Sequence, residues 1–166
     1  MTQNSLYAVI TFAFICLTAS FTATAQPNIS HPGQGTPERK SILDGMRSTT
    51  ESQLKIPDVQ YSVKTINVLN DWAYVSASAQ RKDGKRINPK EVCMYEIQGD
   101  RCITEIESVL RKSNGVWKVD TYVAGATDVW QQDYCSKKDF PMELFGFKRS
   151  EMCPPGYGQT MPPTKK

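Results

Sequence analysis

The side chains best suited to acid–base chemistry lie in one stretch, NGVWKVDTYVAGATDVW, residues 114–130. Asp120 and Tyr122 alternate along a predicted strand, where a carboxylate could accept a proton and a phenol could donate one. That chemistry requires their shared face to line an enclosed apolar pocket. A Lys118, Asp120, Tyr122 alternation is equally typical of a half-exposed strand, and the sequence favours this plainer interpretation. Asp120 and Tyr122 are therefore weak candidates, and no catalytic residue is assigned.

Other reactive patterns are incomplete in this chain. Ser76 and Ser78 lack a G-x-S-x-G context, and the single histidine, His31, lies in a polar N-terminal segment. Glu105 and Glu107 share a strand face but are interpreted as surface charge. No glycine-rich phosphate loop occurs, so the sequence predicts no cofactor and favours a protein that is not an enzyme.

The N-terminus indicates export. Residues 6–17, LYAVITFAFICL, form an apolar run that is too short for a membrane span of about 20 residues. The run fits the apolar region of a signal peptide, and the small residues at 23–25, ATA, predict cleavage before Gln26. The alternative is an uncleaved anchor. We expect the signal to cover residues 1–25, the mature chain to be periplasmic or secreted, and no membrane span to remain.

Four cysteines remain after the predicted cleavage. They are Cys93, Cys102, Cys135 and Cys153. An even number in an exported chain predicts two disulfides, which three pairings could satisfy. Local pairing, Cys93–Cys102 and Cys135–Cys153, is the favoured one. No C-x-x-C occurs and the histidine is distant, so no metal site is predicted.

Composition and length point to one domain without a nucleic-acid role. The net charge is +3, and Lys and Arg are scattered rather than clustered among aromatic residues. Residues 26–35 are polar and rich in Pro and Gly, which predicts a flexible leader. Residues 36–153 then form a single domain, and residues 154–166 have the composition of a disordered tail.

One helix is predicted before the strands. Thr36 is a good N-cap, Pro37 suits the first helical position, and Pro57 ends the helix. Gly45 weakens the helix but would let another backbone approach closely. The apolar face is formed by Ile42, Leu43, Met46, Thr50 and Leu54.

Two antiparallel hairpins are predicted to follow. A phase slip near Lys64–Thr65 indicates a bulge in the first, and Asn114-Gly115 predicts a type I′ turn in the second. In the last strand, one face is expected to carry Trp117, Val119, Thr121 and Val123, and the other Lys118, Asp120 and Tyr122. The tryptophans, Trp72, Trp117 and Trp130, are expected in the core.

A short helix should close the domain. Thr127 or Asp128 is expected to cap it over VWQQDYCSKK, and the apolar DFPMELFGF should then dock on the sheet. The predicted class is α+β, with an N-terminal helix packed on a sheet of about four strands and all helices on one face, in two layers.

The order of elements, with DWAYV at 71–75 and GVWKVDTYVAGATDVW at 115–130, resembles small exported bacterial proteins of cystatin-like or NTF2-like fold. The resemblance covers about residues 36–147. It implies a curved sheet around a helix, an apolar concavity in some members and frequent homodimers. In ketosteroid isomerase-like members, an Asp and a Tyr transfer protons inside the cone. The cysteine-bearing insertion at 81–102 departs from the general pattern, which favours the smaller cystatin-like sheet.

Two hypotheses of function follow from these features. The first is a non-enzymatic exported protein that binds a macromolecular partner in the cell envelope, as an inhibitor, an immunity-type protein or an accessory factor. A rigid disulfide-closed loop at 93–102 would suit such recognition. The second is a small-ligand binder or isomerase-type enzyme, which requires Asp120 and Tyr122 to face one pocket.

Overall fold

A computed structural model of the chain describes residues 28–88, 91, 104–126 and 128–156. The predicted signal peptide, the Cys93–Cys102 pair and most of the predicted tail lie outside this part. No helix in the described part is long and apolar enough to cross a membrane. The elements in chain order are α1 (Pro37–Leu54), β1 (Gln60–Leu69), β2 (Trp72–Gln80), β3 (Glu105–Ser113), β4 (Val116–Ala124), the 3₁₀ helices η1 (Trp130–Ser136) and η2 (Met142–Phe145), and α2 (Arg149–Met152).

The four strands form one antiparallel sheet in the order β1-β2-β3-β4. Asn114 and Gly115 have φ of 52° and 76°, which confirms the predicted type I′ turn between β3 and β4. The predicted bulge in β1 is also confirmed, because the register with β2 shifts between Val63 and Thr65. The α+β class and the four-stranded sheet with a helix packed on it are therefore as predicted.

Helix α1 begins and ends for local reasons. The Thr36 hydroxyl accepts a hydrogen bond from the Arg39 amide at 3.3 Å, and Pro37 follows as the first helical residue. Lys55 ends the helix in the left-handed conformation, with φ of 58°. The predicted apolar face is confirmed, since its buried residues are Ile42, Met46, Thr50 and Leu54.

The helix lies unusually close to the last strand. A Cβ placed on Gly45 would stand 2.6 Å from the Trp117 carbonyl oxygen, so only glycine lets the two backbones approach this far. Among the described strands, β4 is an outer one that pairs with β3 alone, and α1 lies against it. Small side chains of β2 widen the room on this side of the sheet: Ala73, Ala77 and Ala79 are buried in the same core as α1.

The prediction that all helices share one face, giving two layers, is wrong. Trp72 and Tyr74 belong to a second core, separate from the one that contains Ala73 and Val75. Because alternate strand residues point to opposite faces, the two cores lie on opposite sides of the sheet. The second core contains residues of the predicted docking segment, Phe140, Met142, Leu144 and Phe145. The sheet is thus the middle of three layers, with α1 on one side and the C-terminal segment on the other.

Both outer strands reach the helix-side core. Tyr61 of β1 and Tyr122 of β4 pack against it, although two strands separate them. The Tyr61 hydroxyl donates to Thr50 Oγ1 of α1 at 2.9 Å. Contacts from both outer strands to one helix indicate a sheet that bends around α1.

Part of the predicted flexible leader is attached to the sheet. Ser30 and Val68 exchange two backbone hydrogen bonds of 2.9 Å, which extends the sheet past β1 by one bridge. Ile29 packs on the second core. From Ile29 onward the chain therefore belongs to the folded domain, which begins earlier than residue 36.

Gly45→Ala should destabilise the protein, although the same change in an open helix gains about 1 kcal/mol. The added methyl would overlap the Trp117 carbonyl and separate α1 from β4, at a cost of about 1–3 kcal/mol. Urea unfolding monitored by circular dichroism measures the change. The control is Ser48→Ala at an exposed position of the same helix, which should leave stability unchanged or slightly higher. Equal effects of the two variants would contradict the close contact.

Candidate functional site

The candidate residues of β4 lie at a bulge that the sequence did not predict. Val109 pairs with Thr121 and the next residue, Leu110, pairs with Val119, so Asp120 is an extra residue in β4. Before the bulge, Trp117 and Val119 pack on the helix side. At the bulge, Asp120 and Thr121 both contact η1 on the other side of the sheet. The Thr121 carbonyl accepts a hydrogen bond from Ser108 Oγ at 2.9 Å.

The bulge separates the two weak catalytic candidates. Tyr122 packs with the helix-side core, whereas Asp120 contacts Tyr134 of the opposite core. The expectation that Asp120 and Tyr122 share one face is therefore wrong. An extra residue reverses the alternation of every side chain that follows it. The two groups cannot act together on one substrate from opposite sides of the sheet.

Asp120 instead belongs to a polar cluster with Thr121, Tyr134 and Lys137. Its carboxylate accepts a hydrogen bond from the Tyr134 hydroxyl and a second from Lys137 Nζ at 2.7 Å. The Tyr134 oxygen also lies 2.6 Å from Thr121 Oγ1. Lys137 Nζ stands 4.4 Å from the centre of the Tyr134 ring, within cation–π range. The cluster binds η1 to the bulge of β4.

The protonation states in this cluster are fixed near neutral pH. Burial raises the pKa of Tyr134 above its usual range, and the neighbouring Asp120 carboxylate raises it further. Burial also raises the pKa of Asp120, but hydrogen bonds from Lys137 and Tyr134 outweigh it and hold this pKa below its usual value. A permanent anion and a neutral phenol do not exchange a proton readily, because general catalysis needs a pKa near the working pH. The cluster is built to hold η1 in place.

A second polar cluster lies on the same side of the sheet. Glu107 accepts hydrogen bonds from Trp130 Nε1 at 2.7 Å and from Gln131 Nε2 at 3.1 Å. Burial and the charge of Glu107 raise the pKa of the neighbouring Tyr74 to about 12. Glu107, interpreted from the sequence as surface charge, thus anchors the start of η1. Trp130 is buried as predicted, with its indole N–H bound to a carboxylate.

Covalent and cationic contacts hold the rest of the C-terminal segment. Cys135 and Cys153 form the predicted disulfide, with 5.5 Å between their Cα atoms. The Arg149 guanidinium of α2 donates to three backbone carbonyls, those of Cys135, Lys137 and Phe140.

The expected cap of η1 is absent. Val129 occupies the N-cap position without a side-chain hydrogen bond, so Asp128 does not cap this helix. Thr127 lies outside the described residues.

Two buried donors on the helix side of β4 lack a partner. The indole N–H of Trp117 and the hydroxyl of Tyr122 are inaccessible to solvent and make no hydrogen bond in the described part of the chain. Burial raises the pKa of Tyr122, and the nearby Thr50 hydroxyl, which bonds Tyr61 and Met46 instead, lowers it only in part. Unpaired buried donors are uncommon in native structures, because each loses its hydration without compensation.

The remaining sequence candidates have ordinary contacts. Ser78 Oγ donates to Glu105 at 2.7 Å, and Lys64 of the β1 bulge pairs with the same carboxylate. Within the described ranges, no group of three His, Cys, Asp or Glu side chains could hold a metal ion. Cys93 and Cys102 lie outside those ranges.

The sequence did not predict Tyr134 and Lys137 as members of the site. Their bonds to Asp120 depend on tertiary packing, and Asp120 alone was a candidate from the sequence.

Comparisons with models of protein families, with curated proteins and with solved structures find no match to this chain. The residues and their geometry therefore carry the functional inference.

Asp120→Asn should lower the free energy of unfolding by about 1–2 kcal/mol, because it removes the charged partner of Lys137 and weakens the bond from Tyr134. Chemical unfolding at pH 7 measures the loss. The control is Asp139→Asn, whose pair with Arg111 spans 3.7 Å between side chains that are both more than half exposed. This control should change stability by less than about 0.5 kcal/mol. A comparable loss in both variants would contradict the role of Asp120.

The contribution of Asp120 should depend on pH. Its folded-state pKa lies below the unfolded value of about 3.9, so the carboxylate stabilises the fold fully above that value. The stabilisation is then lost as the pH falls through the folded-state pKa. The stability difference between the parent protein and Asp120→Asn should therefore be constant near neutrality and shrink in acid. Unfolding curves from pH 7 to pH 2 test this, and a difference that grows in acid would refute it.

Replacing both Cys135 and Cys153 by Ser should cost about 3 kcal/mol, since the disulfide closes a loop across a sequence separation of 18 residues. Limited proteolysis should cut the variant first in the C-terminal segment, because the disulfide lies within that segment while strand pairing and α1 hold the sheet. Mass spectrometry of the oxidised parent protein, digested without reductant, checks the pairing. A peptide that joins Cys135 to Cys93 or Cys102 would contradict it.

Proposed function

We propose that the protein is exported to the periplasm or beyond, and that it binds a macromolecular partner without catalysing a reaction. The partner would be a protein of the cell envelope or a secreted hydrolase, with this chain as an inhibitor, an immunity-type protein or an accessory factor. The observation that carries the proposal is the state of Asp120. Its Oδ2 atom accepts hydrogen bonds from Lys137 and Tyr134, and the bulge places the carboxylate on the opposite side of the sheet from Tyr122.

Export is supported by the disulfide together with the N-terminal sequence. Cys135 and Cys153 are bonded, and such bonds persist mainly in oxidising compartments. The apolar run at residues 6–17 and the ATA at 23–25 fit a signal peptide cleaved before Gln26. The two observations are independent, since one concerns targeting and the other the redox environment of the folded chain.

The cystatin-like or NTF2-like interpretation of the fold remains part of the proposal. A helix precedes four antiparallel strands, and both outer strands contact the helix-side core around α1. The C-terminal layer on the opposite face is an addition to the two-layer plan that the resemblance implies. A homodimer, which the same resemblance implies, is proposed on that ground alone.

A small-ligand binder is the second candidate, and one observation favours it. The Trp117 indole N–H and the Tyr122 hydroxyl are both buried and unpaired, and both belong to the face of β4 that meets α1. A ligand with an acceptor atom and an apolar body could satisfy them. The isomerase-type version is not favoured, because Asp120 lies on the other side of the sheet.

The mature chain, residues 26–166 with its disulfides oxidised, should recover a specific partner from envelope extract or from a secreted-hydrolase fraction. Bound proteins are eluted from the immobilised chain by an excess of the free chain, so that only saturable binding counts. The eluted partner is then tested with purified components. A defined stoichiometry with no turnover of the partner supports the proposal.

Two results distinguish the candidates. Recovery of no saturable partner, together with turnover of a small molecule, would overturn the proposal. A small molecule that raises the melting temperature of the parent protein but not of Tyr122→Phe would favour the ligand-binding candidate instead. Asp120→Asn serves as the matched variant, since it alters the same strand on the opposite face.

A further inference from the structure

The end of the β3–β4 hairpin carries like charges opposite each other. Arg111 and Lys118 are direct cross-strand neighbours, and Trp72 of β2 continues the same row. Residues paired in register point to the same face, so both cations lie on the side of the C-terminal segment. Like charges in this position reduce stability. The contact between these two cations does not itself stabilise the sheet.

The Arg111 guanidinium lies over an aromatic ring. Its guanidinium carbon lies 4.9 Å from the centre of the Trp72 ring, which restricts the side chain while leaving its N–H groups exposed. In the described part of the chain its ion-pair partner is Asp139, 3.7 Å away, and both side chains are more than half exposed. An ion pair of this kind contributes little and is easily exchanged for a better acceptor.

The other cations at this end have few internal partners. Lys118 and Lys138 are exposed and form no ion pair within residues 28–88, 91, 104–126 and 128–156. Lys138 lies between Lys137, which binds Asp120, and Asp139, which meets Arg111. We call Arg111 and its cross-strand neighbour Lys118 the basic hairpin surface.

Elsewhere on the sheet, most cationic side chains form ion pairs. Lysine and arginine side chains near the opposite end contact carboxylates, in the pairs Arg81–Glu91, Lys82–Asp58, Lys85–Asp83 and Lys64–Glu105. Most cations there are thus paired with a carboxylate, with exposed Arg86 as an exception, whereas Lys118 has no such partner among the described residues.

We propose that the basic hairpin surface is the docking site for an acidic protein surface, with Arg111 on Trp72 as its central anchor. This inference rests on the proposed function and names the chemistry of the partner. Carboxylates match the planar guanidinium in two parallel hydrogen bonds, and Lys118 would supply a second charge beside it. Val116, two residues before Lys118 and 56% exposed, offers an apolar contact at the rim.

A protein partner fits this surface better than a membrane or a nucleic acid. Anionic membranes recruit clusters of about 4–8 Lys or Arg, more than are uncommitted here. Nucleic-acid surfaces need a basic stripe with many phosphate contacts, which this end of the sheet lacks. Protein interfaces are instead enriched in Arg and aromatic residues and need only a few charges for orientation.

The test is a titration of isotope-labelled protein with poly-L-glutamate at low ionic strength, followed by NMR. Amide shifts should concentrate at residues 110–119 and 137–139. Arg111→Glu with Lys118→Glu should weaken the apparent affinity at least about tenfold, because like charges then face each other. The control is Lys82→Glu with Lys85→Glu, which changes the net charge equally at exposed lysines and should weaken affinity much less.

Melting curves of all variants verify folding. If Arg111→Glu with Lys118→Glu unfolds, Arg111→Gln with Lys118→Gln takes its place in the titration. Equal losses in the two double variants, or shifts spread evenly over all lysines, would overturn the docking site. Stronger binding to phosphatidylglycerol vesicles than to poly-L-glutamate at the same salt would overturn it in favour of lipid. A recovered protein partner whose binding ignores Arg111 and Lys118 would sink this inference and leave the proposed function standing. A shift pattern centred on the hairpin without any recovered partner would support the surface and count against the proposed function.

Discussion

The extra residue in β4 is the constraint on which the two sides of this protein depend. Up to Val119, the strand packs its large apolar side chains in the core that it shares with α1. The register then shifts at Asp120, and the side chains of Asp120 and Thr121 both contact Tyr134. A regular strand would have placed only one of them there. The bulge thus lets one strand bind a helix on one face and a polar clamp on the other.

Covering both faces with so little regular structure requires strong individual contacts. The C-terminal layer contains only short helices, η1, η2 and α2, which are too short to be stable by themselves. Its order comes from aromatic packing around Tyr134 and Phe140, whose ring centres are 4.2 Å apart, and from the Cys135–Cys153 bond. The carboxylates of Asp120 and Glu107 add directional bonds from the sheet. The layer is therefore attached at several separate points rather than by one continuous helix face.

Local signals in the sequence predict the elements well and their layering poorly. Thr36-Pro37, Asn114-Gly115 and the phase slip at Lys64 each reflect backbone chemistry within a few residues, and the structure confirms all three. No comparable sequence pattern marks the bulge at Asp120, because Thr121 and Tyr122 can each be interpreted as apolar or polar. That ambiguity put Asp120 and Tyr122 on one face. The third layer was missed for a related reason, since its contacts with β2 and β3 are long-range and its helices lack a 3.6-residue period.

The contact between Gly45 and Trp117 also has a consequence for how the chain assembles. β4 is an outer strand, and an uncovered strand edge is a template on which other chains can add. The helix that lies against it comes from the opposite end of the chain, so the contact can form only after most of the domain has been made. Until α1 docks, the nascent sheet is exposed to aggregation. Having α1 first in the chain means that the protecting element is already present when its strand appears.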